Sequence, residues 1–240
     1  MIPELGVILD AGTGIFRARD LIQTKHLDIF LTHVHLDHVI GLTFLFDVLH
    51  EKEVDRVTVH LEASKIDTIK NCLFNEQLFP ALPDFELRAF DGDKCEQISL
   101  GDSSTGGQCT LRPFAVQHPG GCHGFRIELE NHSMAYVTDT VAAKDADYLD
   151  SIRNVDTLIH ECYFPDGWEE RAELTGHSCL TPVGEIAAAA NVGRVFLVHT
   201  NPLDEDGSML DLSRIKNIFP ATNIPNDNDC LLYTSPSPRD

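Results

Sequence analysis

The sequence predicts an α/β (α+β) protein in which β-sheets are covered by helices, and three observations carry that expectation. Short apolar runs with strand character are interspersed with at least four segments of helical spacing. Four of the strand-like runs finish in a side chain able to bind metal or move protons, at His33, Asp139, His160–Glu161 and His199. An internal echo links the two ends of the chain, because Asp28 to His33 reads DIFLTH and Arg194 to His199 reads RVFLVH.

The elements follow from local pattern. Gly6 to Asp10 (GVILD) is an apolar run closed by a carboxylate, and Ala11 Gly12 Thr13 Gly14 suits a tight turn. Asp10 is equally suited to capping that turn and to supporting a site from behind. Phe16 to His26 reads as a short helix, Ile29 Phe30 Leu31 as a buried strand, and Val39 to Leu49 as a helix. Arg56 to His60 alternates as a strand does, and Ser64 to Phe74 places Ile66, Ile69 and Leu73 on one helical face. Phe85 to Phe90 is a strand, Asp91 to Gly107 is turns, and Leu111 to Gln117 is a strand whose Pro113 implies an edge or bulge. Gly124 to Leu129 and Ser133 to Val137 flank a hairpin turn. Val155 to Ile159 and Val195 to Val198 are buried strands, and the Ala-rich Thr181 to Asn191 is a helix with Pro182 in its first turn.

One domain over residues 1–230 fits the length of 240. A single strand ahead of the glycine turn leaves a sheet edge unpaired, so a missing native start is expected. Leu231 to Asp240, with two Ser-Pro pairs and little to bury, is expected to be a disordered, non-native tail. No apolar run reaches the roughly 18 residues of a membrane span, and no signal peptide is visible, which points to the cytoplasm. Seven unevenly spaced cysteines read as reduced, mostly buried thiols. With 18 Lys plus Arg against 38 Asp plus Glu, the formal charge of -20 repels polyanions, so tRNA is a poor partner and a small anionic substrate a better one.

The chemistry gathers in LDIFLTHVHLDHVIGL, residues 27 to 42. His33 and His35 are two apart, so in an extended segment both imidazoles leave on one side. Asp37 and His38 begin the following helix and can reach a second cation. With His118, Asp139 and His199, seven nitrogen and oxygen ligands are too many for one tetrahedral ion and suit two. The natural partition gives His33, His35 and His118 to the first metal, Asp37, His38 and His199 to the second, and Asp139 to both. Such a donor set suits two divalent ions, Zn²⁺ first, then Mn²⁺ or Fe²⁺. A hydroxide held between them is a nucleophile at neutral pH, which makes hydrolysis the reaction class.

The motif H-x-H-x-D-H at His33 to His38, with the later His118, Asp139 and His199, resembles the metallo-β-lactamase fold superfamily. The resemblance spans Gly6 to Asn228 and implies an αββα sandwich of two mixed β-sheets flanked by helices, built from two similar halves with a dinuclear site at one rim. Homodimers are common among such proteins. A finer resemblance is to ribonuclease Z and its phosphodiesterase relatives, whose His-Glu-Ala-Thr-Phe motif looks like His160 Glu161 Cys162 Tyr163 Phe164 and whose His-Ser-Thr motif looks like His177 Ser178 Cys179. By that resemblance Glu161 orients His177, which donates a proton to the leaving oxygen, and both join Asp37 at the chemistry. A carboxylate partner favours the imidazolium, and expelling an alkoxide needs a general acid.

Cys162 and Tyr163 stand where the relatives have Ala and Thr, Cys179 stands for Thr, and no basic tRNA-clamping insert is present. A small phosphodiester therefore fits better than tRNA. Two other readings keep the fold: a thioester, lactone or β-lactam hydrolase without need of the Glu161–His177 pair, and a non-catalytic binding member. His26, His50, His60, His123 and His132 read as surface or packing residues, with His123 nearest the expected substrate mouth, and His160 reads as a support to the site.

Overall fold

The computed structural model describes residues 1–92, 97–100, 109–204 and 209–231. The expected tail lies outside these residues apart from Leu231. The chain divides into two compact units, Met1–Glu96 and Gln97–Asp240.

The first unit is built on a four-stranded sheet, parallel throughout, in the order β1 (Val7–Leu9), β2 (His26–Phe30), β3 (Arg56–Glu62), β4 (Glu86–Phe90). Parallel strands need both faces covered, and the alternation shows how this is met. Leu27, Ile29, Leu31, Val57, Val59 and Leu61 pack against Ile15, Val39, Leu42, Leu45, Val48 and Ile69. Each such side chain contributes about 1.5–3 kcal/mol on burial. On the opposite face His60 is buried, its Nε2 2.7 Å from Asp28 Oδ1 and its ring stacked 4.2 Å from Phe30, so it has the packing role expected.

The helix expected over Val39 to Leu49 is instead a succession of short turns, Leu36–Val39, a 3₁₀ segment Ile40–Phe44, and Leu45–Leu49. Gly41 explains the change of pitch. Its amide leaves the helical ladder to donate to the Ala11 carbonyl at 2.7 Å, which ties the His33–His38 segment to the turn after β1. The helix expected over Ser64 to Phe74 is similarly mixed, with 3₁₀, α and π turns at Ala63–Lys65, Ile66–Thr68 and Ile69–Leu73.

The second unit carries a seven-stranded mixed sheet in the order β11 (Thr222–Asn223), β10 (Arg194–Val198), β9 (Thr157–Glu161), β8 (His132–Val137), β7 (Cys122–Leu129), β6 (Cys109–Val116), β5 (Ile98–Leu100). β8 to β11 run parallel and β5 to β8 antiparallel. Pro113 is tolerated in β6 because the short β5 pairs only Cys109 to Leu111, leaving the proline beyond its end. The helix Leu180–Ala189 presents Leu180, Val183, Ile186 and Ala187 to a core that includes Leu158, Val195, Leu197 and Ile215. His123 lies within β7 opposite Ala115.

Register brings the chemistry to one edge. Val137 pairs His160, and Val198 pairs Glu161, so β8, β9 and β10 finish side by side and release Asp139, Glu161 and His199 together.

Candidate functional site

In the first unit, the loop after β2 and the short helix that follows it hold four candidate ligands. His33 and His35 have ring centroids 4.4 Å apart, and His33 and His38 are 4.3 Å apart. His33 and His35 offer nitrogens within 4.8 Å of each other, and His38 Nε2 lies 3.4 Å from Asp37 Oδ2. His33 and His38 are buried, while His35 and Asp37 are exposed.

Asp10 decides how the buried pair is held. Its carboxylate accepts from the Thr32 amide at 2.8 Å and from the Thr32 hydroxyl at 3.0 Å, and faces His38 Nδ1 at 3.0 Å. A carboxylate only accepts, so His38 carries its proton on Nδ1 and presents the bare Nε2. The Thr32 hydroxyl gives its one proton to Asp10, so it accepts from His33 Nδ1 at 3.0 Å, and His33 also presents Nε2. Asp10 thus stands behind His38 directly and behind His33 through Thr32. Asp10 sits at φ 58, in the left-handed region that Asp tolerates better than most residues.

In the second unit, Asp139 lies between two histidines. Its Oδ2 is 3.7 Å from His118 Nε2 and its Oδ1 3.5 Å from His199 Nε2, while the Thr138 hydroxyl donates to Oδ1 at 2.7 Å. His118 donates from Nδ1 to the Gly176 carbonyl at 2.8 Å, again leaving Nε2 bare. Asp139 and His199 adopt φ 47 and φ 51, strained positions of about 1–3 kcal/mol each of the kind that gather at functional sites.

These donors meet the demands of a divalent metal. His33, His38 and His118 are each clamped at Nδ1 and offer Nε2, which is how ligating histidines are normally oriented. The groups able to hold an ion contain imidazole and carboxylate and no thiolate among the described residues, which suits Zn²⁺, Mn²⁺ or Fe²⁺. Of the supporting residues, Thr32, Thr138 and Gly176 carried no signal in the sequence, because a hydroxyl or a carbonyl behind a ligand has no spacing rule.

Glu161 and His177 are paired. Glu161 is fully buried; its Oε1 accepts from the Thr140 amide at 2.9 Å and faces His177 Nδ1 at 3.1 Å, and its Oε2 accepts from the Tyr163 amide at 3.2 Å. Burial pushes the Glu161 carboxyl up, and the contact with His177 is first among the interactions that pull it back. The His177 ring stacks on Tyr163 at 5.1 Å and on His199 at 5.6 Å, with His118 at 5.4 Å. Ser178 fixes the segment, donating to the Thr140 carbonyl at 2.6 Å and accepting from the Ala142 amide at 2.9 Å.

His160 faces the other way. Its Nδ1 donates to the Glu161 carbonyl at 2.7 Å, so its Nε2 accepts from the Tyr148 hydroxyl at 2.9 Å. Burial lowers its pKa from 6.5 to about 4, against the pull of the Glu161 carbonyl. A folded pKa below the unfolded value gives stability that is complete above the unfolded pKa and is lost as pH falls toward the folded one. Between pH 7.5 and 5 this group should remove roughly 2 kcal/mol. Urea unfolding of His160→Gln should show a correspondingly flatter loss over that range, and an unchanged slope would contradict the assignment.

Residues 6–200 match the family model for a β-lactamase superfamily domain. Ribonuclease BN of Salmonella typhimurium is 24% identical over 249 residues, which cover 83% of this chain and 79% of that protein. Among solved structures, the metallo-β-lactamase fold protein YhfI from Bacillus subtilis superposes with a TM-score of 0.73 at 18% identity, covering 95% of this chain and 87% of its own. A diphosphatase from the PhnP family gives a TM-score of 0.66 at 19% identity, covering 92% and 77%. With the family model spanning most of the chain and two sheets flanked by helices, the protein belongs to the metallo-β-lactamase superfamily, whose members are metal-dependent hydrolases.

Proposed function

We propose that the protein hydrolyses a small phosphodiester, with two divalent metals, zinc first among them, and with His177 as the proton donor to the leaving oxygen. His33, His35 and His118 would hold one ion, Asp37, His38 and His199 the other, and Asp139 would serve both. Bound there, the metals supply Lewis acidity and a water activated at neutral pH. The likeness to a ribonuclease and to a diphosphatase supports a phosphorus substrate, and the charge of -20 favours a small one over tRNA.

The observation that carries this reading is the Glu161–His177 pair. Thioester hydrolysis expels a thiolate that leaves without protonation and has no need of it, whereas a phosphodiester of an ordinary alcohol does. With Nδ1 engaged by Glu161, the proton delivered leaves from His177 Nε2. Because Glu161 already accepts two backbone amides, its carboxylate is fixed and holds the ring at one angle.

Zinc-loaded protein should cleave bis-p-nitrophenyl phosphate. His177→Ala should lower kcat by about 10²–10⁴ on an alkyl leaving group and far less on p-nitrophenolate, which needs no protonation. Equal losses on both substrates would remove the acid role, and rapid thioester cleavage with His177 dispensable would replace the phosphodiesterase reading altogether.

A further inference from the structure

Within the first unit lies a cleft of about 440 Å³, a size in the usual range for small-molecule sites. Its near wall includes Val34, Leu36 and Val39, which are interleaved with His33, His35, Asp37 and His38, so the cleft and four proposed ligands share one segment of chain. Its far wall is the π turn Ile69–Leu73, whose wide pitch shows in the Phe74 amide donating to the Ile69 carbonyl at 3.1 Å. Such turns are rare and are frequent at functional sites. No charged side chain lines the cleft among the described residues, and the hydroxyl of Thr43 gives its proton to the Ile40 carbonyl at 2.7 Å. Two of the lining leucines, Leu36 and Leu78, are 63% and 76% exposed, which puts them at the mouth. Leu36 stands between His35 and Asp37, both exposed as well, so the mouth opens beside donors that a substrate must reach.

We infer that this cleft holds an aliphatic chain carried by the substrate, which makes the substrate a phosphodiester with one long hydrocarbon arm. This rests on the phosphodiesterase reading, and it names the substrate class that reading leaves open. The arm passes over Leu36 from the phosphorus into the cleft. An aliphatic chain is the occupant because the walls offer hydrocarbon and little else. A charged group would lose its hydration there and find no partner, and a planar group would meet one ring, Phe79, with no second ring to enclose it. Burying the chain also takes Leu36 and Leu78 out of water, and each methylene buried favours binding about fourfold. The shared segment ties the occupant to the reaction: a chain packed on Val34 and Leu36 is held one residue from His33, His35 and Asp37.

Zinc-loaded full chain is assayed with methyl, butyl and octyl p-nitrophenyl phosphate, which share one leaving group. KM should fall about 10²-fold from methyl to octyl. Cys72, an exposed thiol on the far wall, gives a readout that needs no turnover. Saturating octyl phosphate should slow its alkylation by N-ethylmaleimide about tenfold, followed by the mass of the Cys72 peptide, and methyl phosphate should not. Cys72→Trp fills the cleft from an exposed position and should reduce the advantage of octyl over methyl about tenfold. Leu78→Ser should reduce it severalfold, with Leu78→Met restoring it. Cleavage of bis-p-nitrophenyl phosphate with no effect of chain length overturns the subsite alone, whether or not Cys72 is protected. A chain-length effect that leaves Cys72 unprotected, or that survives Cys72→Trp, puts the arm elsewhere and overturns it too. Protection of Cys72 by octyl phosphate without hydrolysis of any diester keeps the cleft as an aliphatic site and overturns the phosphodiesterase reading.

Discussion

Asp10→Ala should lower stability by about 3–5 kcal/mol and weaken metal binding about 10–100-fold, although Asp10 is not among the proposed ligands. The physical cause is the number of groups that depend on one buried carboxylate. Its removal leaves the Thr32 amide without its acceptor, frees the Thr32 hydroxyl to rotate, and takes away the acceptor that fixes His38 Nδ1. Once the Thr32 hydroxyl rotates, His33 Nδ1 loses a fixed partner as well, so two ligands loosen together. Alanine is also worse than aspartate at φ 58. Asp10→Asn keeps the left-handed preference and one oxygen, and should fall between the two proteins. Chelator competition for zinc and urea unfolding measure the two effects. Wild-type zinc affinity in Asp10→Ala would show that the carboxylate serves only the turn.

Gly176→Ala should have an effect of similar size by a different route. Gly176 closes the helix Glu169–Thr175 at φ 77, its amide donating to the Ala172 carbonyl at 2.8 Å. A left-handed alanine costs roughly 1–2 kcal/mol. Space adds to this, since a Cβ there would lie 2.4 Å from Pro119 Cδ and 2.6 Å from His118 Nδ1. The group displaced is the imidazole that the Gly176 carbonyl holds. A summed loss of about 2–4 kcal/mol is expected, with zinc content after dialysis well below that of wild type. Gly167→Ala is the control, because Gly167 has φ 94 and nothing within 4 Å of an added Cβ. It should lower stability by the backbone term alone and keep its metal; equal zinc loss in both variants would refute the contact.

Among the proposed ligands, His33, His118, Asp139 and His199 were legible because each is a chemically distinct residue at the end of a strand-like run, and His35, Asp37 and His38 because they follow His33 in one short motif. The parallel register of β8, β9 and β10 brings Asp139, Glu161 and His199 to one edge, as such endings predict. The helix near Thr181 was legible for a different reason, its alanine content and the proline allowed in its first turn. Other elements left no such trace. In the helix Glu169–Thr175 only Ala172 is buried, so no apolar stripe exists to read. Strand β5 is three residues inside a stretch rich in Gly, Asp and Ser. Leu149–Ile152 and Leu212–Ile218 each bury a single residue and fall below what periodicity can resolve. Asp10 stayed ambiguous because an aspartate after a strand looks the same whether it caps a turn or braces a histidine.

Strand β9 places two ionisable residues side by side and gives them opposite fates. Leu158, His160 and Cys162 point into the apolar core, while Glu161 points to Thr140 and His177. Whether a position on this strand is inert or reactive is a matter of parity. A one-residue slip would send the imidazole to the reacting side and drive a carboxylate into the core, where nothing ionic awaits it. The strand is therefore closed to single insertions and deletions, and length variation among functional descendants of this chain can accumulate only outside it.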